Sequence, residues 1–132
     1  MDIILEYAST IADISGAILD HRHGINDTQC EHIATIHRRA LAFLNEYSSK
    51  QTLPVQQLRS YLNHDALSPV TVMIGYSEWL LGDAVGALSA PYRHAIEEMR
   101  DFAYALRDEI HYLHEHIWQF MQMMDIPRTA VS

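Results

Sequence analysis

The sequence predicts an all-α protein built around a long antiparallel helical hairpin. Apolar residues recur at intervals of three and four along most of the chain, which is the period of amphipathic helices. The five glycines and four prolines are few, and they fall mostly near predicted helix ends. The most regular apolar ladder is a heptad seam, which is typical of helical bundles. This seam consists of Tyr92, Ile96, Met99, Ala103, Leu106, Ile110, Leu113, Ile117, Phe120 and Met124.

Two shorter helices are predicted before the hairpin. The first runs from about Asp2 to Asp20, and its apolar stripe consists of Ile4, Tyr7, Ile11, Ile14 and Ile18. The second begins near Thr28, which has capping-box spacing to Glu31. Its stripe consists of Cys30, Ile33, Ile36, Ala40, Phe43 and Tyr47. The segment "YSSKQT" predicts a linker, so we divide the chain into an N-terminal region, 1–50, and a hairpin region, 53–126.

The hairpin is predicted to consist of helices at about 53–81 and 89–124. Placing residues 53–81 at intervals of 100° separates an apolar face from a polar, small-residue face centred on His64. Proline lacks an N–H group and clashes with the carbonyl four residues back. Because Pro69 stands four residues after Asp65, we expect the third helix to kink beside His64.

A hairpin cannot cover its own apolar seams, so other helices must complete the core. Either the first two helices fold back in a monomeric bundle, or two chains pair their hairpins. At about 1.5 Å per residue, the last helix is about 50 Å long and the first two are about 30 Å each. Because the short helices would leave part of the long seam bare, the lengths favour a homodimer with a central four-helix bundle.

Composition limits the partners and the compartment of the protein. The formal net charge of −8 argues against a nucleic acid or an anionic membrane surface as the main partner. No apolar run is long enough for a membrane span, and "MDIILEY" lacks the basic region of a signal peptide. The single cysteine, Cys30, excludes an internal disulfide and a cysteine zinc site. These features predict a soluble, cytoplasmic protein.

The candidate chemistry lies at His64, Asp65 and Ser68. A neutral, exposed imidazole can act as a nucleophile or a base. A neighbouring carboxylate such as Asp65 can hold the proton on one ring nitrogen and leave the other free to attack. The hydroxyl of Ser68, one turn further on, can orient water or a phosphoryl oxygen. The three residues indicate a phosphoryl acceptor in outline, with a merely solvated histidine as the simpler interpretation.

The segment "HDALSPVTVMIGYSEWLL" resembles the H-box of the dimerisation and histidine-phosphotransfer domain of sensor histidine kinases. His64 matches the phosphoacceptor of that family, Asp65 its acidic residue and Pro69 its proline. The "GYSEWLL" tail follows at the family's spacing, and "LSAPYRHAIEEMRDFAYALRDEI" resembles the second helix of the same domain. The resemblance covers about residues 53–120. It implies a dimeric hairpin bundle in which His64 is phosphorylated and Asp65 is its acid/base partner.

The chain departs from the family pattern in two ways. Leu67 stands where the family has a basic residue, which removes a charge and argues against kinase-type chemistry. Ser68 stands where the family has threonine or asparagine, and it keeps a hydroxyl that can position water for phosphatase activity. The ATP-binding domain of a complete kinase is not expected, because the chain contains no G-x-G motif.

These features predict a stand-alone histidine-phosphotransfer protein of a two-component phosphorelay. His64 would take a phosphoryl group from, or pass it to, a response-regulator receiver domain or a histidine kinase. The chain would be a phosphotransferase intermediate rather than a self-sufficient kinase, without a cofactor of its own, and Mg²⁺ would be bound by the receiver partner. The alternative is a non-catalytic dimeric module that binds or regulates a histidine kinase or response regulator, with His64 vestigial. A third interpretation, a fragment of a larger kinase, is disfavoured by Met1 and the polar end "IPRTAVS".

A second group of histidines lies on the last predicted helix. His111, His114 and Glu115 are spaced so that a surface metal site is geometrically possible. A solvated helix face is the simpler interpretation, and we assign no metal ligand.

Overall fold

A computed structural model describes residues 2–123, and within them the side chains of all residues except 118 and 120–123. The described residues form five helices: α1 (Ile3–Asp20), α2 (Asp27–Lys50), α3 (Val55–His64), α4 (Leu67–Leu81) and α5 (Ala90–Met123). The helix predicted over 53–81 is therefore two helices, α3 and α4. The predicted ends at 124 and 126 lie outside the described residues, as do the side chains of Phe120 and Met124 in the predicted seam.

The helices form a four-helix bundle in which α3 and α4 together make up one broken rod. α1 and α4 each pack against both α2 and α5, and α3 packs against α4 and α5. Short connections join α1 to α2, α2 to α3 and α4 to α5, and each makes the helix that follows antiparallel to the one before it. Within residues 2–123, no helix is long and apolar enough to cross a membrane.

The predicted α5 seam is covered by helices of the same chain. Between Ile96 and Ile110, every seam residue is completely buried, whereas Leu113 and Ile117 are partly buried. This buried stretch is about 21 Å long, and the 18 residues of α1 span about 27 Å. The premise that the first helices are too short to cover the seam thus fails for this stretch. The bundle core closes within one chain, and the pairing of two chains stays a prediction.

One hydrophobic core joins the N-terminal region, 1–50, to the hairpin region. The predicted stripes of α1 and α2 face this core: Ile11 and Ile36 are completely buried, and Ile14 is partly buried against them. The buried residues that α3 and α4 add are Tyr61, Leu62, Val70, Met73, Ile74, Ser77 and Leu80. Burial of these apolar surfaces is the main force that holds α2 against α4.

The start of α2 is fixed by a capping box two residues earlier than the one predicted from Thr28 and Glu31. The Asn26 side chain accepts from the Gln29 N–H at 2.8 Å, and the Gln29 side chain accepts from the Asn26 N–H at 2.9 Å. Both side-chain amides also donate to carbonyls of the α4–α5 loop, residues 85–87. The earlier box therefore satisfies the helix end and also ties α2 to that loop.

Candidate functional site

His64 is the last residue of α3, and its side chain is exposed. The N–H groups of Asp65 and Ala66 both donate to the Tyr61 carbonyl, at 2.8 and 3.0 Å, which ends the helix. α4 begins at Leu67 without a side-chain cap. The histidine therefore stands where the regular hydrogen bonding between α3 and α4 is interrupted.

Pro69 explains why the rod is interrupted at this point. In a continuous helix, its ring would clash with the Asp65 carbonyl, and that carbonyl would lack its N–H partner. In the structure, Pro69 lies in the first turn of α4, where N–H groups have no helical partner in any case. The irregularity predicted beside His64 is confirmed: the helix is interrupted at Asp65 and Ala66, whose backbone dihedrals stay in the right-handed helical region.

Pro69→Ala should allow α3 and α4 to join, because alanine restores the N–H group and removes the clash. We expect the N–H group gained at position 69 to bond to the Asp65 carbonyl and to be protected from hydrogen exchange, with the free energy of unfolding changed by no more than about 1 kcal/mol. Pro91→Ala, at the start of α5, is the control. Unprotected, fast hydrogen exchange of the N–H group at position 69 in Pro69→Ala would refute this role of the proline.

The exposed and buried faces of α3 and α4 agree with the prediction from 100° spacing. His64 and Ser68 are exposed, and Leu62, Val70 and Met73 on the opposite face are buried. The full set of predicted outward residues is exposed: Gln57, Ser60, His64, Ser68, Thr71, Gly75 and Glu78. The polar, small-residue face thus continues past the break and gives a partner open access to His64.

A groove of about 460 Å³ lies between the break and α2. It brings together the three residues singled out in the sequence, His64, Asp65 and Ser68. The remaining lining residues are Pro69 on α4 and Arg39, Ala42, Phe43 and Glu46 on α2. A ligand that reaches His64 therefore also meets side chains of the N-terminal region.

The polar side chains of the groove are close together but are not locked to one another. The nearest hydrogen-bonding neighbour of the His64 ring is the Asn63 amide nitrogen, 3.4 Å from Nε2, which is a long contact. Among the described residues, no hydrogen bond joins Asp65 to His64, and none uses the Ser68 hydroxyl. The predicted hold of Asp65 on the ring is thus absent from this structure. Both groups remain available to a bound ligand.

Leu67 has a structural role in place of a chemical one. Its side chain is partly buried and packs against the core. α4 contains no lysine or arginine, so any positive charge near Leu67 comes from another helix.

Arg39 and Glu46, on α2, are the groove residues that sequence reasoning missed. They are seven positions apart, so two helical turns place them on the same side of α2. Both flank the buried stripe residue Phe43, which is only 1% exposed. The apolar stripe of α2 shows that Arg39 and Glu46 lie at the edge of the core. No local sequence signal indicates that this edge of α2 packs beside His64.

The carboxylates of Glu46 and Asp65 make one end of the groove electrostatically negative. Burial raises the pKa of the Tyr61 phenol, and the charges of Glu46 and Asp65 raise it further. Lys50 lies nearby, with its ammonium 6.0 Å from the centre of the Tyr61 ring. Arg39 is the one lysine or arginine among the side chains that line the groove.

On the other side of the break, α5 presents His114. Burial lowers the pKa of this histidine, and the positive charge of Arg59 lowers it further. Glu115 acts in the opposite direction, whereas His111 and His64 add small lowering effects. Within the part of the chain that the structure describes, no group of three or more His, Cys, Asp or Glu residues is arranged to hold a metal ion.

Comparisons of the chain with protein-family models, with curated proteins and with solved structures found no match.

Proposed function

We propose that this protein is a histidine-phosphotransfer protein that accepts a phosphoryl group at His64 and passes it on. One observation carries the proposal: an exposed histidine at a helix break shares a groove with a carboxylate, Asp65, and a hydroxyl, Ser68. The resemblance of "HDALSPVTVMIGYSEWLL" to a kinase H-box supports the same assignment, independently of the groove.

In the proposed transfer, the lone pair of the unprotonated ring nitrogen of His64 attacks the phosphorus of an aspartyl phosphate on a receiver domain. The N–P bond forms as the P–O bond to the aspartate breaks, and the aspartate leaves as a carboxylate with the bonding electron pair. The other ring nitrogen keeps its hydrogen, which becomes more acidic because the ring now carries the phosphoryl group. We assign Asp65 the role of accepting that hydrogen, and Ser68 the role of donating to a phosphoryl oxygen.

The phosphoryl donor and acceptor in this proposal are partner proteins. Residues 2–123 are occupied by one helical bundle, so a response-regulator receiver or a histidine kinase supplies the phosphoryl group. The Mg²⁺ that neutralises the transferred charge belongs to the receiver's own site. This chain contributes the nucleophile and its surroundings, and the reverse transfer uses the same groups.

The test is transfer from phosphorylated receiver domains of the same cell to the purified protein. Phosphohistidine is an acid-labile, base-stable phosphoramidate, whereas an acyl phosphate is labile to base. We expect label with the phosphohistidine stability pattern to appear on this protein as it disappears from a cognate receiver. Label with the acyl-phosphate pattern, or no label from any receiver or kinase, would contradict the proposal.

We also propose, from the resemblance, that two chains pair into a homodimer. The core closes within each chain, so pairing would use surface residues and would leave both His64 sites intact. Candidates are the exposed apolar side chains Ile3, Leu41, Val55 and Tyr112. Size-exclusion chromatography with light scattering should give twice the chain mass of 15.2 kDa. A mass of one chain at all concentrations would remove the dimer and leave the phosphotransfer proposal standing.

A non-catalytic interaction module is the second candidate function. It is favoured by Leu67, which packs into the core where the family has a basic residue, and by the missing hydrogen bond between Asp65 and His64. In that case the protein should bind a receiver or a kinase equally well with His64→Ala and never take label. Binding without labelling would therefore decide for this module.

A further inference from the structure

The α2 wall of the groove has no role in the transfer described so far. We propose that Arg39, on α2, binds the phosphoryl group on His64 and supplies the positive charge that Leu67 cannot. This inference rests on the proposed function of His64, and it makes the N-terminal region part of the site.

The position of Arg39 supports this role. Arg39 is exposed and lines the same groove as His64, Asp65 and Ser68. Among the described residues, no ion pair or hydrogen bond engages its guanidinium. A guanidinium presents up to five N–H donors in a planar fork, a geometry that suits two oxygens of one phosphoryl group.

The adjacent residue, Arg38, provides an internal comparison. It is also exposed on α2, but it does not line the groove. Its guanidinium donates to the Thr35 hydroxyl at 3.1 Å. The two arginines carry the same charge and lie on the same helix, but only Arg39 lines the groove.

The charge of the groove requires a cation once His64 is phosphorylated. Glu46 and Asp65 are both acidic, and a phosphoryl group adds up to two further negative charges. Like charges this close oppose phosphorylation unless a positive group offsets them. Lys50 lies over the Tyr61 ring and is not part of the groove lining, which leaves Arg39 as the cation of the groove.

Packing fixes where Arg39 can act. Phe43, one turn along α2, is 1% exposed and anchors this side of the helix in the core. Arg39 and His64 line the same groove because α2 packs against α4 within the same chain. Arg39 thus brings a positive charge from α2 to the groove beside α4, the helix on which Leu67 lies.

The first experiment uses phosphoramidate, a small donor that phosphorylates histidine without a partner protein and releases ammonia. The rate of phosphate incorporation at His64 is followed by mass spectrometry of the His64 peptide. We expect Arg39→Gln to lower this rate about tenfold or more, which is the size of a lost charge-assisted hydrogen bond. Arg38→Gln should behave as wild type, and Arg39→Lys should recover part of the rate.

The second experiment measures the phosphoryl group itself by ³¹P NMR during a pH titration of the phosphorylated protein. A nearby guanidinium favours the dianion, so the pKa of the phosphoryl group should be lower in wild type than in Arg39→Gln. Arg38→Gln should leave that pKa unchanged. A purely structural role of Arg39 would alter stability without moving this pKa specifically.

The outcomes separate this inference from the proposed function. If Arg39→Gln and Arg38→Gln match in both rate and phosphoryl pKa, the role of Arg39 is overturned while His64 remains an acceptor. If phosphoramidate labels His64 with the Arg39 dependence but no receiver does, the relay fails and the anion site stands. If His64 of the wild type takes phosphate neither from phosphoramidate nor from any receiver or kinase, both are overturned.

Discussion

Replacement of His64 by alanine should abolish acid-labile, base-stable phosphate on this protein. Among the groove side chains, the imidazole is the nitrogen nucleophile, because the Arg39 guanidinium stays protonated, Asp65 would give an acyl phosphate and Ser68 an acid-stable ester. We expect the label acquired from a phosphorylated receiver to fall to background in His64→Ala. The measurement is retention of label after separate acid and base treatments.

The loss of label in His64→Ala should not come from loss of the fold. His64 is exposed and makes only one long hydrogen-bonding contact, so its removal should change the free energy of unfolding by no more than about 0.5 kcal/mol. His23→Ala, at an exposed turn, is the matched control and should keep full labelling. Label that persists in His64→Ala would show that another residue is the acceptor.

Ile11→Ala should destabilise the protein by about 2–5 kcal/mol, as expected for a fully buried apolar side chain. Ile11 lies on α1 with no exposed surface, and α1 packs against both α2 and α5. If the first helices complete the bundle, Ile11→Ala should cost about as much as Leu106→Ala in the α5 seam. Urea unfolding, monitored by circular dichroism, measures both variants.

The matched control for Ile11 is another isoleucine of the same helix. Ile3 is 39% exposed at the start of α1, so Ile3→Ala should cost less than about 1 kcal/mol. If Ile11→Ala proved as mild as Ile3→Ala, α1 would not belong to the core. The hairpin would then need a second chain to cover its seam, as its length first indicated.

Local features of α3 and α4 could be predicted from the sequence because they depend on neighbouring residues. The break beside His64 follows from Pro69 and the carbonyl four residues before it, which are fixed by covalent geometry. The outward position of His64 follows from helical periodicity relative to Leu62 and Val70. The heptad spacing of α5 likewise predicted the burial of Ile96 and Leu106.

What covers the seams could not be predicted, because an apolar stripe does not specify its partner. The stripes that contain Ile11 and Ile36 are equally compatible with packing of α1 and α2 against α5 of the same chain and with packing in a separate layer. The comparison of helix lengths favoured two chains, since it counted the whole predicted seam as buried. In the described part of α5, complete burial ends at Ile110, and α1 is long enough for that stretch.

The second wall of the groove was also beyond sequence reasoning. Arg39 and Glu46 are separated from His64 by the linker and by α3, and only the packing of α2 against α4 brings them to the site. Similarly, Thr28 and Glu31 have the same capping spacing as Asn26 and Gln29. Asn26 and Gln29 form the capping box, because their side chains also donate hydrogen bonds to carbonyls of the α4–α5 loop.

The central claim, that His64 receives a phosphoryl group from a receiver domain, is tested most directly by locating the phosphate. Wild-type protein is incubated with a phosphorylated cognate receiver and analysed by tandem mass spectrometry under conditions that preserve phosphohistidine. Of the nine histidines in the chain, we predict phosphate on His64 alone. Phosphate on a different histidine, or on none while the receiver keeps its own, would contradict the claim.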